Sequence, residues 1–512
     1  MAKYRILIAN RGEIAIRIAR TVRELGWIPL GIYTSIDKYS LHRRFMDGDY
    51  QVSNYLDMDE IIEAALELGA DAIHPGYGFL SENALFVRKV VSRGLVFVGP
   101  PPNIMELSGD KARAKKMAEE AGIPTLPWRP VKKPEDVIEF ANEYRYPVLL
   151  KAVGGGGGMG MRIVYNEKDV EKLYEQASKE AEDAFKDKRL YVEKFLTSPK
   201  HIEIQILGNG EKVIHLFERD CSIQHRYQKV IEEAPAPILS PDERRAITED
   251  AVKLAEYIGY VNAGTVEFLF DPKTRKHYFM EINARLQVEH PVTEMITGVD
   301  IVKQQLLIAM GEGLDLKQDD IRIHGHAIEA RINAENPVTM LPSPGTVSDY
   351  HEPSGPGIRI DSGITAGSII PAEYNPLIAK IIAWAPSRRE AINRMLRALR
   401  EYIIIGVDTN ILLIKSILEH PVFINGVHTT KFLDEYINDI KKRILNYERI
   451  QAIALSILMT RSINGFGSLV PRSKSPIVPT SHRLQTLKRR AWAYWRVIKS
   501  RMHTRKRSSR KK

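Results

Sequence analysis

The sequence predicts an α/β protein with an N-terminal parallel-sheet domain, a small hinged α+β lid and a C-terminal α+β domain. Three observations support this. Apolar strands alternate with helical patterns over the first hundred residues, a Pro-rich stretch then introduces a second lobe, and later segments alternate apolar with polar positions. The 512 residues, 44% of them hydrophobic and 27% charged, fit a globular protein of several domains and exclude a mainly disordered or fibrous one.

Strands and helices alternate through the first domain, which we assign to residues 1–110. Strands are predicted at Arg5–Ala9, Ile28–Tyr33, Asp71–Ile73 and Leu95–Val98, and helices at Glu13–Leu25, Asp57–Leu68 and Glu82–Ser92. Ligands of such open sheets lie beyond the carboxyl ends of the strands, so segments 10–13 and 74–78 are expected near a ligand.

Five consecutive glycines mark the second unit, residues 111–200, which contains the linker and the lid. Lys151 ends a predicted strand, Gly154–Gly158 follow, and another strand is predicted at Met161–Val164. Glycines let backbone N–H groups surround an anion, and Lys151 adds positive charge. A glycine run is ordinarily a loose surface linker, but its place between two strands favours a flexible flap over phosphates.

A dense row of polar side chains distinguishes the third unit, residues 201–440. Ile202, Ile204 and Ile206 alternate with polar positions, which predicts antiparallel strands with one face exposed to a cleft. Further along, period-two geometry gives one polar face, if the segment stays extended, to Glu281, Asn283, Arg285, Gln287 and Glu289. The apolar face then carries Tyr278, Met280 and Ile282.

A facing pair of carboxylates is expected in this unit. If Phe268 pairs with Met280 across a hairpin, Glu267 lies opposite Glu281. Two facing carboxylates repel each other unless a divalent cation lies between them, and carboxylates, an amide and substrate phosphates are ligands that Mg²⁺ prefers. The alternative is a solvated sheet face with chance acidic residues.

Several motifs occur in order between about Tyr4 and Tyr436. Besides Lys151 with its glycine run, they are ANRGEI (9–14), HPGYGFLSEN (74–83), GDK (109–111), ERDCS (218–222), EEAPAP (232–237), QVEHPVTE (287–294) and EARINAE (329–335). Together they resemble the biotin carboxylase subunit of biotin-dependent carboxylases, an ATP-grasp enzyme. The resemblance implies ATP-dependent carboxylation of biotin with bicarbonate through carboxyphosphate, the first half-reaction of an acyl-CoA or pyruvate carboxylase.

The resemblance also implies roles for matching residues. The ATP site would comprise Lys111, Lys151, Gly156, Gly157, Gly158, Glu193, Lys194, Leu196, His201 and Gln224. Mg²⁺ (or Mn²⁺) would be held by Glu267, Glu281 and Asn283, and bicarbonate by Lys229, Arg285, Gln287 and Val288. Glu289 would be the general base, and Arg331 would stabilise carboxyphosphate and the biotin enolate, so that Glu289, Arg285, Arg331 and Lys229 form the catalytic group. Tyr227 and Asn375 depart from the family pattern, which commonly has His and Asp there.

The partners are expected on other polypeptides. The chain has no Ala-Met-Lys-Met biotinylation sequence, so biotin should arrive on a separate biotin carboxyl carrier protein, and a carboxyltransferase subunit should choose the acceptor. The resemblance implies a homodimer with Arg20 and Glu24 near its contact. Two other functions stay open: another ATP-grasp ligase, such as a carbamoyl-phosphate-type synthetase, and a nucleic-acid-binding protein.

The charge is divided unevenly along the chain. Residues 441–512 contain 20 Lys or Arg and one acidic residue, whereas residues 1–440 contain 54 basic and 63 acidic residues. In this basic tail, one apolar helix stripe is predicted at Leu484, Leu487, Ala491, Trp495, Ile498 and Met502. Docking to an acidic partner is favoured over binding to a membrane or nucleic acid. A single cysteine, Cys221, and the absence of a long apolar run indicate a cytoplasmic protein.

Overall fold

A computed structural model describes residues 4–155 and 160–463, which form three large β-sheets surrounded by helices. The N-terminal sheet is parallel, with strands β1 (Arg5–Ile8), β2 (Ile28–Tyr33), β3 (Gly48–Gln51), β4 (Ala72–His74) and β5 (Val96–Phe97) in the order β3-β2-β1-β4-β5. Its helices are α1 (Gly12–Glu24), α2 (Met58–Glu67), α3 (Ala84–Ser92) and α4 (Pro102–Gly109). The predicted parallel sheet is present.

Side-chain caps fix the starts of two of these helices. Asp57 accepts hydrogen bonds from the backbone N–H groups of Asp59 and Glu60, and Asn83 accepts one from Phe86. α3 therefore begins two residues after the predicted Glu82. The polar edge strand β3 was not predicted from the sequence.

The small lobe contains a four-stranded antiparallel sheet. Its strands are β6 (Trp128–Val131), β7 (Val148–Ala152), β8 (Arg162–Val164) and β9 (Leu190–Lys194), in the order β6-β9-β7-β8. Helices α6 (Pro134–Tyr144) and α7 (Val170–Phe185) pack against it, whereas α5 (Lys111–Glu120) contributes Ala114 and Ala118 to the core of the largest sheet. The β7–β8 hairpin carries the glycine run, of which Gly156, Gly157 and Gly158 lie outside the described residues.

The largest sheet has eight strands, in the order β14-β13-β10-β11-β12-β15-β20-β18. The strands of this unit are β10 (Lys200–Asn209), β11 (Val213–His225), β12 (Gln228–Ala234), β13 (Val261–Asp271), β14 (Lys276–Asn283), β15 (His326–Asn333), β16 (Gly345–Thr346), β17 (Asp349–His351), β18 (Ile358–Ser362), β19 (Ile369–Ile370), β20 (Leu377–Ala385) and β21 (Ile403–Ile405). Its helices are α8 (Pro241–Tyr257), α9 (His290–Thr297), α10 (Ile301–Ala309), α11 (Arg388–Glu401), α12 (Ile411–Leu418), α13 (Pro421–Ile424) and α14 (Phe432–Ile463). β16 pairs with β19, and β17 with β21.

One face of β10 packs in the core and the other forms a buried polar layer. Ile202, Ile204 and Ile206 lie in one apolar cluster with residues of α8. The intervening Glu203 and Gln205 are fully buried, so the predicted exposure of this face to a cleft is wrong. Arg219 and Lys229 lie against Glu203 on this face, and Arg219 also donates a hydrogen bond to Thr293 of α9.

A register shift changes the predicted β13–β14 hairpin. Glu267 does lie opposite Glu281, but Phe268 pairs with Phe279 and not with Met280, because the ladder is irregular between Glu267 and Phe268. Phe279 and Ile282 consequently occupy the core, whereas Tyr278 and Met280 are only half-buried. In the described part of the chain, no helix is long and apolar enough to cross a membrane.

Candidate active site

Three carboxylates form a row across neighbouring strands of the largest sheet. Glu203 on β10 lies opposite Glu267 on β13, which lies opposite Glu281 on β14. Like charges placed directly opposite destabilise a sheet unless cations compensate them. This row therefore requires positive partners, and the structure supplies cations to each carboxylate.

Lysine, arginine and histidine side chains balance the carboxylate row. Glu203 accepts a hydrogen bond from Arg219 Nε at 2.5 Å, and its second oxygen contacts Lys229. His201 Nε2 lies 2.7 Å from Glu267 Oε2, and Lys229 Nζ donates to Glu267 Oε1 at 3.2 Å. Lys111 forms an ion pair with Glu281. The predicted ATP-site residues Lys111 and His201 thus contact Glu281 and Glu267, two of the three predicted metal ligands.

The donor chemistry of this row fits a magnesium ion. Burial by itself raises the pKa of Glu267, but Lys229 and His201 have the larger opposite effect, and the pKa is lowered to about 2. Burial likewise raises the pKa of Glu281, and Lys111 lowers it to about 2, so both groups are anionic at neutral pH. Asn283 donates from Nδ2 to Glu267 Oε1 at 2.8 Å. Two facing anionic carboxylates and an adjacent amide are suitable oxygen ligands.

Glu289 lies between two cations at the N-terminus of α9. Lys229 Nζ donates to its Oε1 at 2.5 Å and Arg331 Nη2 to its Oε2 at 2.8 Å, and the residue is fully buried. Burial and Glu203 raise the pKa of Glu289, but Lys229, Arg331 and Arg219 lower it below its ordinary value. Glu289 is therefore an anionic carboxylate that can accept a proton.

The segment between β14 and α9 is held by contacts from two directions. It is not extended beyond Asn283, so the condition for one polar face over 281–289 is not met. Arg285 donates to Gln287 Oε1 at 2.9 Å and to Glu82 of the N-terminal domain at 2.8 Å. Lys380 Nζ donates to the Val288 carbonyl at 2.9 Å. Gln287 also reaches Glu267 Oε1 at 3.2 Å, so the predicted bicarbonate residues converge beside the carboxylate row.

The remaining predicted ATP residues line the junction of the small lobe with the large sheet. Glu193 is buried and accepts a hydrogen bond from Lys151 Nζ at 3.0 Å. Lys194 Nζ donates to the Arg145 carbonyl at 2.9 Å, and Leu196 is half-buried. Gln224 Nε2 lies 2.6 Å from His201 Nδ1, which connects this group to Glu267.

Three residues of the site had no role predicted from the sequence. Glu203 is the first carboxylate of the row, and Arg219 is its hydrogen-bond donor. Lys115 Nζ lies 3.0 Å from Glu193 Oε2. The alternation of Glu203 with Ile202 and Ile204 was a usable signal, because it places Glu203 on the polar face. Cys221 is buried, with Sγ 3.9 Å from Glu289 Oε1.

Acidic residues on a large antiparallel sheet, facing a small lobe whose hairpin carries a lysine and a glycine run, define an ATP-grasp enzyme. Three family models match the chain: "Biotin carboxylase, N-terminal domain" over residues 2–105, "Carbamoyl-phosphate synthase L chain, ATP binding domain" over 110–317, and "Biotin carboxylase C-terminal domain" over 329–435. The chain belongs to the biotin carboxylase family, so the family predicted from the sequence is confirmed.

Similar proteins and structures agree with this assignment. Biotin carboxylase of Nostoc sp. is 48% identical over 441 residues, which cover 84% of this chain and 98% of that protein. Biotin carboxylase of Pseudomonas aeruginosa is 45% identical over 84% of this chain and 98% of its own length. The biotin carboxylase domain dimer of Hydrogenobacter thermophilus 2-oxoglutarate carboxylase, solved with MgADP, ADP and bicarbonate, is 46% identical with a TM-score of 0.84 and covers 86% of this chain and 99% of that domain. The predicted fold class is thereby confirmed.

Proposed function

We propose that this chain carboxylates biotin, using ATP and bicarbonate, while the biotin is attached to a separate carrier protein. The observation that carries this proposal is the buried, anionic Glu289 between Lys229 and Arg331, next to two facing carboxylates suited to a metal ion. Transfer of a phosphoryl group to bicarbonate requires a base, cations that bind the anion, and a site for the metal and nucleotide.

Glu289 acts as the base that activates bicarbonate. Bicarbonate is a weak nucleophile until it loses its proton, and an anionic carboxylate held in place can accept that proton. Lys229, Arg285 and Gln287, with the backbone of Val288, bind the anion and offset its charge. Lys229 and Arg331 then stabilise the negative charge that remains on bicarbonate when its proton moves to Glu289.

Glu267 and Glu281, with Asn283 beside them, hold Mg²⁺ with the nucleotide. The bound ion offsets the charge of the phosphates and orients the terminal phosphoryl group. Lys111 and Lys151 bind phosphate oxygens, and the glycine segment covers them. Glu193, Lys194, Leu196, His201 and Gln224 surround the rest of ATP.

A bicarbonate oxygen attacks the γ-phosphorus of ATP, which forms carboxyphosphate and releases ADP. Carboxyphosphate breaks down to CO₂ and phosphate, the phosphate takes the proton of the biotin ureido nitrogen, and that nitrogen then attacks CO₂. The 2.8 Å contact with Glu289 fixes the planar guanidinium of Arg331. Its positive charge then stabilises the enolate oxygen of biotin. Water must be excluded during this interval, which is the role of the closing lid.

The transfer of a labelled oxygen tests this proposal. Full-length protein is incubated with MgATP, biotin and oxygen-labelled bicarbonate, and the products are analysed by mass spectrometry. We expect label in the released phosphate and a carboxylated biotin. Unlabelled phosphate would instead support an ATP-grasp ligase that phosphorylates another carboxylate. Labelled phosphate with product formed only when an amine replaces biotin would support a carbamoyl-phosphate-type synthetase.

The partner proposals extend beyond the catalytic site. We propose a homodimer that assembles with a biotin carboxyl carrier protein and a carboxyltransferase subunit in the cytoplasm. The units 1–110, 111–200, 201–440 and 441–512 are proposed as its domains, supported in part by the family models that end at 105 and 435. The basic tail helix, at 484–502, lies outside the described residues. Its docking to an acidic partner is tested with a truncation at Tyr447, and retention of that variant in the assembled complex would contradict docking.

A further inference from the structure

One buried carboxylate of the small lobe is shared by two lysines. Glu193 Oε1 accepts a hydrogen bond from Lys151 Nζ at 3.0 Å, and Glu193 Oε2 lies 3.0 Å from Lys115 Nζ. Glu193, Lys151 and Lys115 are only 2%, 4% and 1% exposed. The three groups carry two positive charges and one negative charge, and excess buried charge is unfavourable unless an anion joins it.

The two lysines belong to different kinds of element. Lys151 lies on β7, in the hairpin that carries the glycine run. Lys115 lies on α5, one turn after Lys111, so both side chains leave the same face of that helix. Lys111 contacts Glu281 of the largest sheet while Lys115 contacts Glu193 of the small sheet. α5 therefore supplies one cation to each of two acidic positions, independently of the hairpin.

We propose that Lys115 is a positioning residue that neutralises Glu193 when Lys151 leaves this carboxylate to bind the phosphates of ATP. The inference rests on the proposed function, in which Lys151 is a phosphate ligand. Removing the partner of a buried carboxylate is strongly unfavourable because the remaining charge is uncompensated. With Lys115 on the second oxygen, Glu193 stays paired throughout, and Lys151 can move to the nucleotide without leaving an isolated buried charge.

Replacement of Lys115 by methionine tests this role because it removes the charge and keeps an unbranched side chain. Lys116→Met is the matched control, since that neighbouring lysine has a side chain 72% exposed. Dissociation constants for MgATP and for adenosine are measured by calorimetry on the full chain. We expect Lys115→Met to weaken MgATP at least about tenfold and adenosine less than about twofold, whereas Lys116→Met changes neither. Equal weakening of both ligands, or unchanged MgATP affinity, would overturn the proposal.

A double-mutant cycle with Glu193→Gln separates compensation of charge from direct contact with phosphate. In the Glu193→Gln background no carboxylate needs a partner, so adding Lys115→Met should leave MgATP affinity unchanged. An equally large loss in that background would mean that Lys115 itself binds phosphate, and the proposal would be wrong. If Lys115→Met alone does not fold, Glu193→Gln and the double variant can still be compared, because neither contains the unpaired carboxylate. Failure of the unmodified chain to bind MgATP would refute the proposed function instead.

Discussion

Replacing Lys229 with methionine is expected to destabilise the protein strongly at neutral pH and much less at acidic pH. Lys229 contacts Glu203, Glu267 and Glu289, and its side chain is 12% exposed. Without it, these carboxylates lose a shared cation and their pKa values rise. Protonating one glutamate with an unfolded pKa of about 4.5 costs about 4 kcal/mol at about pH 7.5, but only about 1.4 kcal/mol at about pH 5.5. The loss of unfolding free energy should therefore shrink by about 2–3 kcal/mol over that range.

The sign of this pH dependence is the decisive feature. In the unmodified protein the pKa values of Glu203 and Glu267 are lowered to about 2, so their stabilisation is present above pH 4.5 and is lost as pH falls towards 2. In the variant the raised pKa makes stability fall as pH rises. Urea unfolding from about pH 5.5 to about pH 7.5, with Lys116→Met as control, measures the difference. A difference that is constant, or larger at the acidic end, would contradict the role of Lys229 as the shared cation of these carboxylates.

Two further substitutions test the catalytic and metal assignments. Arg331→Met should lower kcat about 10²–10³-fold and move the acid limb of the pH–rate profile to higher pH, because Glu289 loses a cation that lowers its pKa. An acid limb that does not move would contradict the coupling of these residues. Glu281→Gln should raise the Mg²⁺ concentration needed for half-maximal ATP hydrolysis about tenfold or more, because one of two facing carboxylates is lost. An unchanged requirement would remove Glu281 from the proposed metal site.

Local sequence signals predicted much of the N-terminal domain. β2 has its predicted bounds and α1 lies within one residue of them, because apolar periodicity acts over a few neighbouring residues. β3 was missed because Gly48–Gln51 is short and half-exposed and has no apolar run. The Phe268–Met280 pairing was wrong because a register shift depends on both strands and leaves no single-residue signature.

The parts of the site formed by residues close together in the sequence were predictable. The contacts between residues far apart in the sequence were much harder to predict. The Glu267–Glu281 pairing could be predicted from one hairpin. The contact of Lys115 with Glu193 joins residues that are far apart in sequence, and a lysine on a helix gives no signal that it is buried. Arg219 likewise contacts Glu203 only because β10 and β11 pair, which the sequence around Arg219 does not indicate.

The proposed function is tested most directly by ATP hydrolysis measured with and without bicarbonate, and with and without a high concentration of free biotin. The unmodified chain, Glu289→Gln and the control Glu312→Gln, at an exposed position, are compared. We expect hydrolysis that requires bicarbonate, increases with biotin, collapses in Glu289→Gln and persists in the control. Hydrolysis indifferent to bicarbonate and biotin, or retained in Glu289→Gln, would contradict the assignment of Glu289 as the base and of biotin as the carboxyl acceptor.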